Sequence, residues 1–300
     1  MHLDLATLSN RGPRLRLALL ALTMLAFAGN SLLCRLALQS GGLDPADFTL
    51  LRLASGALIL SLLVRLREGG QRRLTGSLAG ALWLLAYAGG FSFAYLSLGA
   101  ASGALLLFGA VQGTMLLAGL ARGEILGWRQ WLGVCLAIAG LVVLLMPGLQ
   151  APPLPSALLM LGAGVAWGGY SLRGRHARDP LAATAGNFLL ATPLALLLCL
   201  LLRQGPLPAG AGLIYALLSG ALASGLGYAL WYALLPRLPA TQAATVQLSV
   251  PPLAALGAVL LLGEPLGGRL LLSALAILGG IALVIRAPAR HADTQSTSRP

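Results

Sequence analysis

Three side-chain amides, those of Asn30, Gln112 and Gln247, lie inside long apolar runs of this 300-residue chain. Each falls within about one helical turn of the middle of its run. A polar group at that depth in a membrane is costly unless it faces a cavity or hydrogen-bonds to a neighbouring helix. The amides therefore predict either solute contacts or interhelical hydrogen bonds. Ser249, two positions after Gln247, is a weaker candidate because a hydroxyl can bond to its own helix.

Aromatic residues recur at every fourth position of one apolar run, at Trp83, Tyr87, Phe91 and Tyr95. This spacing places them in a slowly drifting stripe along one side of a helix. Residues near the ends of a run, here Trp83 and Tyr95, are typical of the aromatic belt at a membrane surface. Tyr87 and Phe91 lie too deep in the run for that role.

Further deep aromatic residues occur in two other apolar runs. With Tyr87 and Phe91 they are predicted to build an aromatic wall for a planar or amphipathic solute, and packing between helices is the alternative. These further residues are Trp167, Tyr170, Tyr228 and Trp231. Scattered amides and aromatic rings suit a site that encloses its solute, whereas a channel needs a continuous polar pore.

Carboxylates are missing from the middle of every apolar run. A proton or sodium pump usually keeps one near the membrane midplane, so this pattern predicts facilitated diffusion down the gradient of the solute itself. All eight acidic residues fall in a terminus, a loop or the edge of a run: Asp4, Asp44, Asp47, Glu68, Glu124, Asp179, Glu264 and Asp293.

Four charged residues near the ends of apolar runs have specific expectations. Glu124 and Glu264 each open the last helix of a half, where a carboxylate suits the positive end of the helix dipole. Arg35 and Arg52 lie near the outer ends of the first and second runs. They are expected to meet the carboxylate of a leaving solute or to pair with Asp44 and Asp47.

Catalytic and metal-binding patterns do not occur. No histidine lies within an apolar run, and the chain has neither a GxSxG nor an HExxH motif. Cys34, Cys135 and Cys199 show no metal-ligand spacing and are interpreted as small apolar packing residues. We therefore expect no enzymatic activity, no cofactor and no metal site.

The composition indicates an all-α integral membrane protein. The chain is 58% hydrophobic and only 9% charged, with a mean hydropathy of +0.86, which a hydrated surface does not allow. The apolar runs are continuous rather than alternating, so they favour helices over a β-barrel. Ten runs of about twenty residues are predicted to span the bilayer.

The sequence repeats with an offset of 140 positions. AFAGNSLLCR at 26–35 matches AWGGYSLRGR at 166–175, and GEILGWRQWLG at 123–133 matches GEPLGGRLLLS at 263–273. Since five spans separate the matches, the second half must cross the membrane in the opposite sense. Two inverted five-helix repeats around a central cavity are predicted, at 15–147 and 148–286, followed by a disordered cytoplasmic tail at 287–300.

Arginine distribution predicts the orientation. All twenty basic residues are arginines, and sixteen fall in segments on one side of the membrane if the N-terminus is cytoplasmic. The positive-inside rule then places both termini in the cytoplasm. The net charge of +12 is interpreted as this topology pattern, so no nucleic-acid partner is expected.

Pro251 and Pro252 interrupt the ninth run next to Gln247 and Ser249. Two prolines remove two backbone donors and free the carbonyls one turn earlier, so the pair is predicted to act as a hinge or to fix a kink. The positions 140 residues earlier are Val111 and Gln112, so the interruption is not symmetric.

Two five-span repeats, each ending in a Gly-Glu loop before a last helix, resemble the drug/metabolite transporter superfamily and its EamA-type branch. The stretch PATQAATVQLSVPPLAALGAVLLLGEPL at 239–266 is similar to the most recognisable block of that family. The resemblance covers about 15–286. It implies a ten-helix basket around a central cavity, and substrates such as amino acids, other metabolites, nucleosides or drugs.

The sequence thus predicts a carrier in the bacterial inner membrane that exports or equilibrates small organic solutes by alternating access. Amino acids, aromatic or neutral, are the favoured class. A carrier for drugs or other lipophilic compounds and a membrane scaffold without transport activity are the alternatives. The expected partners are the solute and the lipid bilayer, and a monomer is compatible with the sequence.

Overall fold

The computed structural model describes residues 12–68, 74–148, 151–174, 177–205, 207–235, 238, 245–286 and 290–291. Within these ranges the chain forms ten helices and two very short strands, β1 (Glu124–Ile125) and β2 (Arg290–His291). The helices are α1 (Pro13–Arg35), α2 (Pro45–Glu68), α3 (Leu78–Ala94), α4 (Ala100–Ala121), α5 (Trp128–Leu145), α6 (Leu154–Gly174), α7 (Pro180–Leu202), α8 (Gly210–Leu234), α9 (Val250–Leu262) and α10 (Gly268–Arg286). The predicted fold class, an all-α membrane protein, is confirmed.

Eight of the helices are long and apolar enough to cross a membrane on their own. In this count α1 continues to Ser40 and α9 begins at Thr245. The other two are α3, with 17 residues, and α6, with 21 residues. These two helices pack against each other.

Helix contacts reflect the internal repeat, because a contact between two helices recurs between their counterparts in the other half. In three of the five pairs of helices that correspond to each other in the repeat, the two helices are in direct contact: α2 with α7, α4 with α9 and α5 with α10. The contact of α3 with α6 has its equivalent in α8 with α1, and that of α4 with α6 in α9 with α1. This pattern is the packing expected of two inverted repeats around a shared centre.

Glycine allows a close crossing between α5 and α10. A β-carbon at Gly133 would lie only 2.5 Å from the carbonyl oxygen of Gly280. Gly164 brings α6 equally close to the carbonyl oxygen of Leu107 on α4. Small residues at a helix interface let backbones approach to this extent, which favours association within a membrane.

Helix α8 departs from regular α-geometry in its middle. Residues Ser219–Leu226 form a π-helical stretch, an arrangement that often occurs at functional sites. A β-carbon at Gly220 within it would collide with the carbonyl group of Arg52, so the glycine permits α8 to pack tightly on α2. The widened turn carries Ser219 and Ser224, which are both buried.

The proline pair lies at a helix start. Residues 245–247 are helical, a turn follows at 248–249, and α9 then begins at Val250. Pro251 and Pro252 therefore occupy the first turn of α9, where a helix does not need backbone donors. The helix is interrupted where the sequence predicts, and movement at this point stays a prediction.

Ion pairs connect helix ends at opposite ends of the bundle. At the outer end, defined by Arg35, Asp47, Arg203 and Glu264, Arg35 pairs with Glu264 and Arg203 pairs with Asp47. At the inner end Arg67 pairs with Asp179, and β2 pairs with β1. Each contact joins segments that the arginine pattern assigns to the same side. The orientation of the two ends in the membrane stays a prediction.

The β2 strand lies inside the segment 287–300 that the sequence predicts to be disordered. Its residues Arg290 and His291 pair with Ile125 and Glu124 in antiparallel register. The remainder of that segment lies outside the described residues.

Candidate functional site

A small cavity of about 20 Å³ lies between five helices that come from both halves of the chain. We call it the central chamber. Its volume is enough for about one water molecule, so the chamber is closed around a space much smaller than an organic solute. It is lined by Phe27, Asn30, Tyr87, Phe91, Leu107, Phe108, Trp167, Ala223, Ser224 and Tyr228.

Trp167 on α6 is the centre of the aromatic packing around the chamber. Its ring stacks on Tyr228, with 4.9 Å between the centroids, and on Tyr170 at 5.6 Å. The Tyr87 ring lies 5.0 Å from it at a tilt of 43°, and the edge of Phe27 packs at 6.4 Å. Such contacts stabilise a flat apolar wall that can hold a planar group.

Polar side chains form a hydrogen-bonded cluster beside these rings. The Ser219 hydroxyl donates to Asn30 Oδ1 over 2.6 Å, and Asn30 Nδ2 donates to the Tyr87 hydroxyl over 3.4 Å. The same Tyr87 oxygen accepts a bond from Arg52 Nη2 at 2.8 Å, and Arg52 Nε donates to Ser224 Oγ at 3.0 Å. Four helices thus meet at one polar cluster in the interior.

Arg52 lies behind the chamber wall and is only 1% exposed. The guanidinium carbon lies 4.9 Å from the ring centroids of both Tyr87 and Phe91, in cation–π contact. Its Nη1 is buried and has no hydrogen-bond partner among the described residues. The guanidinium therefore has donor capacity that the described side chains do not use.

The outer end above the chamber is closed by a group that we call the outer latch, formed by Arg35, Glu264, Tyr95 and Ala100. Arg35 Nε lies 3.0 Å from Glu264 Oε1, and Arg35 Nη1 donates to the Tyr95 carbonyl over 2.9 Å. Glu264 Oε2 accepts from the Ala100 backbone amide at 2.8 Å. The latch ties α1, α3, α4 and the α9–α10 connection together.

The pairing expected of Arg35 and Arg52 with Asp44 and Asp47 is wrong, whereas their contact with the carboxylate of a solute stays a prediction. Arg35 and Arg52 bind Glu264 and Tyr87 rather than Asp44 and Asp47, because Arg35 reaches across to the other half and Arg52 lies too deep. Asp47 instead forms its ion pair with Arg203, at 3.1 Å.

Two further expectations also fail at the latch. Glu264 reaches the amino end of α4, so its carboxylate does not serve the start of its own helix α10. Tyr95 is fully buried and does not belong to a surface belt, because its ring packs against Phe91 with 4.7 Å between the centroids.

A second and larger cavity of about 790 Å³ lies at the inner end, between α3, α6, α7 and α8. We call it the inner vestibule. Tyr170 lines it and stacks on Trp167, which lines the central chamber. These two rings therefore stand between the cavities. Asn187 also lines the vestibule and donates to the Tyr170 hydroxyl over 3.4 Å.

Comparison with known proteins shows the family of the chain. Residues 154–286 match the EamA-like transporter family. The chain belongs to the EamA-like transporter family. It is 59% identical over 272 residues to a Pseudomonas aeruginosa protein named "Uncharacterized protein PA1977", covering 91% of this chain and 95% of that protein. A solved chain described as "Crystal structure of protein" shares the fold, with a TM-score of 0.65 and 23% identity over 88% of this chain and 95% of the other.

Five of the predicted solute-contacting residues line the central chamber of this EamA-like transporter: Asn30, Tyr87, Phe91, Trp167 and Tyr228. The structure thus brings together residues that are up to 198 positions apart in the printed sequence, between Asn30 and Tyr228. Their role in solute binding stays a prediction.

The other predicted residues lie elsewhere. Tyr170 lines the inner vestibule, and Trp231 is buried next to Phe27, with 6.0 Å between the ring centroids. Gln112 and Gln247 are buried outside the lining of both cavities. Ser249 is exposed and donates to the Val246 carbonyl over 2.7 Å, in the manner of a hydroxyl that bonds to its own helix.

Sequence reasoning missed Phe27, Ser224 and the depth of Arg52. A charged residue inside an apolar run was the available pattern for Arg52, since such residues in membrane helices usually mark functional sites. Ser224 lies in the SGALASGL stretch that forms the π-helical part of α8. No periodic pattern in the sequence distinguishes Phe27 from a packing residue.

Proposed function

We propose that this EamA-like transporter carries small organic solutes through the central chamber by alternating access, with amino acids as the favoured class. The observation that supports the proposal is the chamber itself, in which residues of both halves combine flat aromatic walls with a buried polar cluster. A site at the interface of inverted repeats changes its accessibility when the halves rock against each other.

The two cavities define a path for the solute. The inner vestibule, at about 790 Å³, falls in the size range of small-molecule sites. The chamber holds only about 20 Å³, so the stacked rings of Trp167 and Tyr170 must separate before a solute can enter. Release at the outer end then requires the Arg35–Glu264 pair of the outer latch to open. We propose the same chamber for export and for exchange.

Buried polarity favours this proposal over the two alternatives. A carrier for lipophilic drugs does not need Asn30, Tyr87 and Arg52 to be joined by hydrogen bonds in its interior. A scaffold without transport activity would fill this centre with apolar packing, because buried polar groups are costly to satisfy.

Solute counterflow tests the proposal. Liposomes that contain the purified protein are loaded with a pool of unlabelled aromatic and neutral amino acids. Uptake of a trace of the same amino acids, labelled and added outside, is then followed. We expect uptake above that of liposomes without protein. The Trp167→Ala variant should show much less uptake than the unmodified protein. The matched control is Trp128→Ala, since Trp128 is 72% exposed on α5 and should retain wild-type uptake. If no member of a broad library of small organic solutes counterflows, the proposed function is wrong.

A further inference from the structure

Arg52 carries a positive charge that the described protein does not neutralise. Arginine has five N–H donors, and here one from Nε and one from Nη2 are engaged while Nη1 has no partner among the described residues. Its hydrogen-bond partners, Tyr87 and Ser224, are uncharged side chains. No carboxylate occurs among the residues that line the central chamber.

Three acidic side chains elsewhere in the described structure already have cationic partners. Asp47 pairs with Arg203, Glu264 with Arg35 and Asp179 with Arg67, all at the ends of the bundle. Asp44 accepts bonds from the backbone amides of Gln204 and Gly205 at the outer end. The charge on Arg52 is thus separate from these pairs.

A buried charge without a counter-ion is unfavourable, and in a membrane helix it usually serves function. Cation–π contacts with Tyr87 and Phe91 offset part of this cost. Both rings line the chamber, as does Ser224, so the guanidinium is held directly behind the chamber wall. An anionic group of the solute would supply the missing counter-ion of Arg52 and offset the rest of this cost.

We infer that the transporter selects solutes with a carboxylate and a net negative charge, the carboxylate binding Arg52 and a planar apolar body lying against Trp167 and Tyr228. The inference rests on the proposed function and changes its favoured substrate class, from zwitterionic amino acids to aromatic carboxylates with a net negative charge. The planar guanidinium fork matches a carboxylate. The ammonium group of an amino acid finds no carboxylate in the chamber and faces the charge of Arg52. Aromatic monocarboxylates are therefore preferred over the zwitterions of the same size.

A matched set of three probes tests this charge selection: 3-phenylpropanoate, phenylalanine and 2-phenylethylamine. They share the ring and differ in the charged groups. Counterflow above empty liposomes should be strongest for 3-phenylpropanoate and weakest for the amine. Arg52→Gln should lower counterflow of the carboxylate by about tenfold or more, the loss expected for a hydrogen bond to a charged group, and should not lower that of the amine. Arg65→Gln, at an exposed position of the same helix, is the control and should change neither.

The unmodified protein provides a second test that does not depend on the folding of a variant. Movement of a net negative charge is electrogenic, so a potassium diffusion potential that is positive inside should drive accumulation of 3-phenylpropanoate. A neutral zwitterion should not respond. Net uptake of 3-phenylpropanoate that ignores the potential, together with counterflow that ignores Arg52→Gln, would overturn the charge selection while leaving the proposed carrier intact. Absence of counterflow for every solute would overturn the carrier itself.

Discussion

Arg35 and Glu264 form an ion pair with 3.0 Å between Nε and Oε1, although 229 positions separate them in the chain. Both side chains are mostly buried, at 7% and 17% exposure. Arg35 ends α1 in the first half, and Glu264 follows α9 in the second half. The pair therefore joins the two halves at the outer end, where a carrier must open to exchange its solute.

Loss of the Glu264 carboxylate should open the outer end more often. Cys34 reports on this because it is fully buried next to Arg35. In a protein with Cys135→Ser and Cys199→Ser, we expect Glu264→Gln to raise the rate of Cys34 modification by a small thiol reagent about tenfold, as for the loss of a charge-assisted hydrogen bond. Glu124→Gln is the matched control in the other half. Equal rates in all three proteins would mean that the pair does not hold this end closed.

The Tyr87 hydroxyl should contribute to solute affinity. It accepts bonds from Arg52 and Asn30, so Tyr87→Phe leaves both donors without this partner and allows the guanidinium to move. We expect the affinity to fall by about 1 to 3 kcal/mol, the usual cost of an unpaired buried polar group. The measurement is the solute concentration that gives half-maximal counterflow. Tyr215→Phe, at a partly buried position of α8, should leave it unchanged, and equal values for both variants would contradict the role of Tyr87.

The fold and part of the site could be predicted from the sequence because both follow from periodic patterns. The repeat at an offset of 140 positions predicts that helix contacts in one half recur between the corresponding helices of the other half. Aromatic residues at every fourth position place Tyr87 and Phe91 on one side of α3, and both residues line the chamber. Deep amides were a weaker guide, since of three only Asn30 lines the chamber.

Contacts between distant parts of the chain could not be predicted in this way. Arg52 follows the start of α2 at Pro45 by seven residues, which is about 10 Å along a helix. It therefore lies deeper in the bundle than we expect for a residue only a few positions after Asp47. Its bond to Ser224 spans 172 positions. Glu264 reaches the amide of Ala100 across 164 positions. Such pairs depend on how the halves dock, which no local pattern specifies.

The crossing of α5 and α10 should be sensitive to a single methyl group. At Gly280 a β-carbon would lie 2.7 Å from the backbone nitrogen of Ala137, whereas at Gly279 nothing lies within 4 Å. We expect Gly280→Ala to destabilise the protein by about 1 to 3 kcal/mol through overpacking, measured by thermal unfolding in detergent. Gly279→Ala should be neutral or slightly stabilising, because alanine favours the helix. A Gly280→Ala protein as stable as Gly279→Ala would contradict the described crossing.

Proton coupling should be absent for zwitterionic solutes. The described acidic side chains with ion pairs, Asp47, Asp179 and Glu264, lie at the ends of the bundle. Tyrosine and arginine titrate too high to cycle near neutral pH. A pH step across proteoliposomes should therefore not concentrate phenylalanine, measured as labelled solute retained inside. Accumulation driven by pH alone and abolished by a protonophore would show that a group at the bundle ends, or the solute itself, carries a proton.

Reversible closure of the outer end tests the central claim of alternating access most directly. Arg35→Cys and Glu264→Cys are combined in a background with Cys34, Cys135 and Cys199 replaced by Ser, and a short bis-methanethiosulfonate reagent links the two positions through disulfide bonds. The account predicts that cross-linking stops counterflow and that reduction restores it, while each single-cysteine protein treated in the same way stays active. Full counterflow in the completely cross-linked protein would contradict the account.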